Sequence, residues 1–282
     1  MKFEHTEVFN FEGALRGMRN PLNSWAKSDS VFDIYCSHED FDVVDESAGL
    51  WANKALENVV CDNDEENYDK EYEEAYDEFH SWLWEEGMTS IGIDHHYQAN
   101  IIGPNDMGLA KRLIAAGTEH RKFLRQIFVS VDITAPLYWW KEADTYKVGT
   151  TANSTSTMHK LASTPITRGC FEMDDYCTDD LVIGEEYVND KLYDYTCDEF
   201  VDSIIQHLEE LRQKYNETKD KRYWKELIRW LPNGWLQTRT VTMNYENLRS
   251  MYHQRKNHKL TEWHSFCEWV ESLPYAKDFI ID

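Results

Sequence analysis

Apolar and polar residues alternate along the chain with two different periods, one typical of helices and one typical of strands. Spacings of three and four residues predict helices over 109–116, 199–215, 247–255 and 260–273. Phe128–Ile133 instead alternates apolar and polar residues, as a half-buried strand does. The pattern therefore predicts a mixed α and β protein, and no repeat of 20–50 residues indicates a solenoid.

The residues after this strand predict the start of another helix. Thr134 is of a type that caps helix N-termini, and Pro136 would fall in the first turn, where its missing N–H is not needed. We interpret the aromatic residues that follow, Tyr138, Trp139 and Trp140, as core side chains. A stacking platform for a base is the alternative interpretation.

The acidic residues of the chain are concentrated in one segment. The chain carries 52 Asp and Glu against 29 Lys and Arg, and 19 of those acids lie between Asp33 and Glu86 with only two lysines. Within that segment aromatic residues recur at helical spacing, at Tyr68, Tyr72, Tyr76 and Phe79. We therefore predict that residues 33–98 form an acidic, largely helical insertion in a single domain covering 1–282. Its acidic face is either a solvated surface or a binding surface for a protein partner.

Composition excludes several classes of protein. No apolar run is long enough to span a membrane, and the polar start does not resemble a signal peptide, so we expect a cytoplasmic protein. Six scattered cysteines without a C-x-x-C pair give no reason to expect a metal site. A net charge of −23 argues against direct nucleic-acid binding. Mimicry of nucleic acid is a weaker alternative, because the negative charge is not spread along the chain.

Three segments carry residues suited to anion binding. The first is Gly117–Arg125, in which cations surround His120. The second is the hydroxyl-rich segment, Thr145–His159, which offers many small hydrogen-bond donors. The third is Asn247–Arg255, a predicted helix with arginines, whose planar guanidinium suits phosphate. Capped loops and surface salt bridges are the alternatives.

The order of these segments resembles that of the flavin-dependent thymidylate synthases, which methylate dUMP with FAD, NADPH and methylene-tetrahydrofolate. That family has a helix ending in Gly, a His-containing loop, a strand, Ala-Pro and a second helix. The corresponding residues here are Leu109–Gly117, His120, Phe128–Ile133 and Ala135-Pro136. Thr151, Asn153 and Ser156 match the S, N and S of the family signature R-H-R-x-x-S-x-N-x-x-S-x-R, with one residue inserted.

Further blocks of the family follow downstream in the same order. The family reads L-P, then T-R, then N-x-R-S-L, and the matching residues are Leu231-Pro232, Thr238-Arg239 and Asn247–Met251. The chain departs from the signature at its ends. Thr145-Tyr146-Lys147 stands for R-H-R, and Met158 stands for the last Arg.

The resemblance implies an α+β fold like that of the thymidylate-synthase-complementing proteins, with a mixed or antiparallel sheet flanked by helices. It also implies a homotetramer with FAD sites between subunits, a bacterial or bacteriophage source, and action on a pyrimidine deoxynucleotide such as dUMP. The positions that match flavin contacts are His120, Asn247, Arg249 and His253. The positions that match nucleotide contacts are Lys147, Ser156 and Arg255, with Arg239 as a nearby cation.

We expect Arg249, Arg255 and His120 to converge on one anion-binding cleft. No catalytic side chain is assigned, because in this chemistry the flavin carries the hydride while the protein binds and orients the reactants. The alternative is a relative with altered or lost catalysis that serves as a nucleotide-binding or acidic protein-interaction module.

Overall fold

The chain combines helices with short strands over the residues that the computed structural model describes, which are 1–35, 48–49, 52–53, 65–82, 98–173 and 181–282. The helices are α1 (Phe11–Arg19), α2 (Glu65–Trp82), α3 (Pro104–Ala115), α4 (Leu137–Ala143), α5 (Thr157–Lys160), α6 (Cys197–Thr218), α7 (Lys221–Trp230), α8 (Tyr245–Arg255) and α9 (Thr261–Glu271). The strands are β1 (Lys2–Phe9), β2 (Val31–Tyr35), β3 (Gln98–Ile101), β4 (Phe128–Pro136), β5 (Thr151–Ser154), β6 (Val182–Val188), β7 (Lys191–Thr196) and β8 (Leu236–Asn244). A π-helical turn, Lys277–Ile281, follows α9.

The described strands form one larger sheet and two strand pairs. The larger sheet has the order β1-β4-β8-β5. The strands β2 and β3 pair antiparallel, and so do β6 and β7. The predicted α+β class, with antiparallel sheets and flanking helices, is confirmed. Among the described residues, no helix has the length and apolar character needed to cross a bilayer.

The predicted helix start at Thr134 is wrong. The strand β4 continues through Pro136, and α4 begins at Leu137 without a side-chain cap. The Thr134 hydroxyl instead lies 2.7 Å from the hydroxyl of Thr238 on β8. This side chain therefore stabilises strand pairing, and its backbone remains extended where the sequence predicted a cap.

The pattern of contacts between residues divides the chain into two compact units. The first unit comprises Met1–Glu4, Asp132–Tyr146 and Ala152–Thr240. The second unit comprises His5–Val131, Lys147–Thr151 and Val241–Asp282. The single domain and its acidic insertion stay predictions, and much of the segment 33–98 lies outside the described residues. Its described helix, α2, stacks Tyr72 on Tyr76 with ring centroids 6.3 Å apart, whereas the side chains of Tyr68 and Phe79 lie outside that description.

In the second unit, aromatic side chains pack around α1. Phe11 meets the rings of Tyr245 and Tyr275 edge-on, at 5.8 and 5.6 Å between centroids. The Tyr245 hydroxyl donates to the carbonyl of Pro274, and the Tyr275 hydroxyl donates to that of Asn100. These buried hydroxyls have the partners that burial demands, so the core fixes both α8 and the segment after α9.

In the first unit, α6 and α7 pack over a hydrophobic core. Its buried members are Leu161, Ile166, Phe171, Ile205, Leu208, Leu211 and Leu227. The helix α6 begins with a capping box, in which Thr196 and Glu199 satisfy each other's backbone N–H groups. The helix predicted over 199–215 is therefore confirmed and extends slightly at both ends.

Glu209 on α6 joins this helix to the loop that follows α5, and the loss of its carboxylate should be measurable. Its carboxylate accepts from Arg212 at 2.6 Å and from the Ile166 N–H at 2.8 Å. Bonding to Arg212 lowers the pKa of Glu209 to about 2. We expect Glu209→Gln to reduce the free energy of unfolding by about 1–3 kcal/mol at neutral pH, the usual range for a hydrogen bond to a charged group.

The pH dependence tests the cause of this loss. A carboxylate whose pKa is depressed by folding stabilises the protein above its unfolded pKa, and that contribution disappears as the pH falls through the folded value. The difference between wild type and Glu209→Gln should therefore be full above about pH 5 and shrink towards pH 2, with the folded pKa about 2. A difference that does not change with pH in urea unfolding would contradict this assignment. Glu210→Gln, at an exposed neighbour, is the control.

Candidate functional site

Residues Lys147–Thr151 of the hydroxyl-rich segment meet helix α8 within the second unit. The Asn247 side-chain amide donates to the carbonyl of Val148 at 2.5 Å, although 99 residues separate them. Asn244 caps α8 by accepting from the Asn247 N–H at 3.0 Å. Two segments that the sequence analysis selected independently are thus in direct contact.

Gly149 makes this contact geometrically possible. Its φ angle of 79° is unfavourable for other residues, and a Cβ there would lie 2.8 Å from the Asn244 amide and 3.0 Å from Asn247 Oδ1. Asn247 Oδ1 is buried and has no hydrogen-bond partner among the described residues. A buried acceptor without a donor is costly, so this atom is a candidate for contact with a ligand N–H or O–H.

The charged residues of α8 hold the segment after α9. Arg249 donates to the main-chain oxygens of Ile280 at 2.8 Å and Asp282 at 3.3 Å. Nε2 of His253 lies 3.0 Å from the same Ile280 oxygen, and because a carbonyl only accepts, Nε2 carries the hydrogen in that bond. Burial lowers the pKa of Arg249, with the nearby charge of Arg121 adding to the effect. Burial and Arg249 likewise lower the pKa of His253, which favours a neutral imidazole at pH 7.

The predicted nucleotide contacts are divided between the units. In the second unit Lys147 is exposed, and the Arg255 guanidinium lies 4.8 Å from the ring centroid of Trp263. Ser156 and Arg239 belong to the first unit. Arg239 stacks on the Trp140 ring at 4.1 Å and donates to Asp144 at 2.8 Å, so protein groups already engage its guanidinium.

A cavity of about 640 Å³ lies in the second unit, beside α1 and α3. His120 lines it, together with Lys27, Arg112 and Lys122. Its volume is within the range of small-molecule and cofactor sites. In a chain with a large excess of acids, this concentration of cations is suited to an anionic ligand.

Arg249 and Arg255 do not belong to the described lining of this cavity. The expectation that they converge with His120 on one cleft stays a prediction. Arg249 is bonded to main-chain oxygens and Arg255 is stacked on Trp263. The ligand contacts predicted for the individual residues stay predictions.

A buried ion pair forms one side of the cavity. Arg19 is 4% exposed and donates through Nε to Asp106 at 2.5 Å. The other Asp106 oxygen accepts from the hydroxyls of Ser28 at 2.7 Å and Ser30 at 2.5 Å. These bonds compensate for burying both charges, and they fix the end of α1 relative to α3.

Asp29 binds the first turn of α3, next to the Arg19–Asp106 ion pair. Its carboxylate accepts from the N–H groups of Asn105 at 2.7 Å and Asp106 at 3.0 Å, as a helix cap does. Burial raises the pKa of Asp29. Gly103 is required beside it, because a Cβ would lie 2.5 Å from the main-chain oxygen of Asp29.

Sequence reasoning missed these residues for a simple reason. Asp106 and Arg19 are 87 positions apart, and neither Lys27 nor Arg112 belongs to a recognisable motif. The available signal was a local excess of cations, because residues 104–126 carry five Lys and Arg against two Asp and Glu. Within the described ranges, no group of three or more His, Cys, Asp or Glu side chains is placed to hold a metal ion.

Comparison of the chain with known proteins gives structural likeness only. No protein-family model and no curated protein matches it. A flavin-dependent thymidylate synthase from Helicobacter pylori, solved with FAD and dUMP, is 15% identical and aligns with a TM-score of 0.45 over 63% of this chain and 83% of that one. A second structure of that enzyme gives 14% identity and a TM-score of 0.47, covering 64% of this chain and 83% of that chain.

A UMP/dUMP methylase from Streptomyces cacaoi, solved with 5-bromo-UMP, is also similar in structure. It is 14% identical and has a TM-score of 0.41, covering 62% of this chain and 84% of that chain. The two thymidylate synthase structures belong to the family whose motifs the sequence resembles.

Proposed function

We propose that this protein binds FAD and a pyrimidine deoxynucleotide and transfers a one-carbon unit to the base, as a flavin-dependent thymidylate synthase does. The observation that carries the proposal is the contact between Asn247 and Val148. It joins two of the several segments that carry the sequence resemblance, and it leaves a buried acceptor, Asn247 Oδ1, beside that contact. Random matches to motifs 99 residues apart would not be expected to meet in this way.

The residues present fit a flavin. An isoalloxazine ring carries an N–H group, which is the donor that Asn247 Oδ1 needs, and His120 lies in a cavity of cofactor size. When bound, the flavin supplies hydride transfer, and the protein supplies binding and orientation. Under this proposal Asn247 Oδ1 accepts a hydrogen bond from the flavin. Arg249 and His253 hold in place α8, the helix that carries Asn247.

The candidate nucleotide contacts are Lys147 and Arg255 in the second unit and, separately, Ser156 and Arg239 in the first unit. Lys147 is exposed beside Gly149, where an ammonium group would bind a phosphate as a point charge. NADPH and methylene-tetrahydrofolate are the proposed co-substrates, and the proposed assembly is a homotetramer in the cytoplasm. The acidic segment 33–98 is proposed to bind a protein partner.

Titration of the purified protein with FAD tests the proposal directly. We expect flavin absorbance that remains with the protein through gel filtration, and an affinity that falls about tenfold in His120→Ala, as loss of one hydrogen bond to a charged ligand would give. His207→Ala is the matched control, because His207 is exposed on α6 in the first unit. A wild-type protein that binds no FAD would overturn the proposal.

The same preparation separates an active enzyme from an altered relative. The specific observation that favours an altered relative is the engagement of Arg239 by Trp140 and Asp144. Formation of dTMP from dUMP with FAD, NADPH and methylene-tetrahydrofolate would establish the activity. Binding of FAD and dUMP without turnover would instead assign the protein as a nucleotide-binding module.

A further inference from the structure

We infer that the cavity beside α1 and α3 binds the diphosphate group of a dinucleotide, through Lys27 and Arg112. The inference rests on the proposed function for the identity of that dinucleotide, FAD. It goes further by assigning the diphosphate to residues that no motif selects. The resemblance assigns a ligand contact to neither side chain.

The charges that line the cavity match a diphosphate. Glu119 is the only acidic residue in its described lining, and it pairs with Lys122 at 3.4 Å. Arg19 is paired with Asp106. Once these two pairs are set aside, Lys27 and Arg112 leave a charge of two, equal and opposite to the charge of a diphosphate that links two nucleosides.

The hydrogen-bond donors of Lys27 and Arg112 are available to a ligand. Lys27 and Arg112 are exposed, and neither forms an ion pair with a described residue. Arg19 uses Nε for Asp106 and Nη1 for the Ser24 carbonyl, and its Nη2 has no hydrogen bond to a described residue. Guanidinium and ammonium groups at one cavity are the usual means of binding phosphate oxygens.

The cavity lining also includes apolar side chains, which suit a nucleoside. Met18, Leu109, Leu113 and Phe123 line the cavity with the cations. Phe123 is held in place by an edge-to-face contact with Phe279, at 5.8 Å between centroids. A ligand with an anionic part and a flat apolar part matches both the cations and the apolar side chains of the lining, whereas inorganic phosphate would use only the cations.

Calorimetry on the full chain with FAD, ADP, inorganic pyrophosphate and riboflavin tests the inference. We expect Lys27→Ala/Arg112→Ala to weaken FAD and ADP binding at least tenfold, since two charge-assisted contacts are lost. Riboflavin, which has no phosphate, should bind both proteins equally. Binding of ADP should also weaken as salt is raised, because the contacts are ionic.

Arg16→Ala/Lys259→Ala is the matched control, because it removes the same charge from exposed positions outside the described lining. Equal losses in the control and cavity variants would overturn the inference, as would a wild type that binds neither ADP nor pyrophosphate. Unchanged FAD affinity in the cavity variant would overturn it while leaving the proposed function intact. ADP binding that is lost in the cavity variant, with no FAD binding by the wild type, would support the site and refute the proposed function.

Discussion

Replacing Asp106 with alanine should lower the free energy of unfolding by about 3–5 kcal/mol, the usual cost of removing one partner of a buried ion pair. Arg19, 4% exposed, would keep its charge without a counter-charge. The hydroxyls of Ser28 and Ser30 would lose their acceptor in the same step. Urea unfolding followed by tryptophan fluorescence measures the loss.

A surface ion pair on α1, the helix that carries Arg19, provides the control. Arg16 and Glu12 form a pair at 3.1 Å, with side chains 63% and 57% exposed. Glu12→Ala should therefore change stability by less than about 1 kcal/mol. If Asp106→Ala and Glu12→Ala unfold at the same urea concentration, burial is not what makes the Arg19 pair important.

Replacing Gly149 with alanine should weaken both stability and FAD binding. The new Cβ would meet the Asn244 and Asn247 side chains at 2.8 and 3.0 Å, and the backbone would keep an unfavourable φ of 79°. We expect about 1–2 kcal/mol from backbone strain, with a further loss because the Asn244 and Asn247 side chains must shift. Relief of the clash would move Asn247 away from Val148, so FAD affinity should fall as well.

Gly117 is a matched control for the stability effect. Its φ is also positive, at 105°, but a Cβ there would meet nothing within 4 Å. Gly117→Ala should therefore show the strain cost alone, and thermal unfolding of both variants isolates the contribution of the crowded contact. Equal destabilisation of the two variants would refute the importance of packing between the hydroxyl-rich segment and α8.

The failed cap at Thr134 and the confirmed helix α6 show which local patterns are reliable. The apolar spacing over 199–215 describes a face that must be buried, and the core buries Ile205, Leu208 and Leu211 as expected. A single Thr two residues before Pro, such as Thr134, is by contrast compatible with a helix cap or with the end of a strand. Pairing of Thr134 with Thr238 on a strand 104 residues away decided between them.

The sequence by itself determined the elements whose patterns repeat over many residues: the main helices, the β4 strand, the α+β class and the two segments that resemble a known family. The tertiary structure alone decided that these segments touch through Asn247, that Arg19 is neutralised by Asp106, and that His120 lines a cavity together with Lys27 and Arg112. The reason is physical. Periodicity records which face of an element is buried, whereas a pair of polar side chains far apart in sequence leaves no periodic trace until folding brings its members within hydrogen-bonding distance.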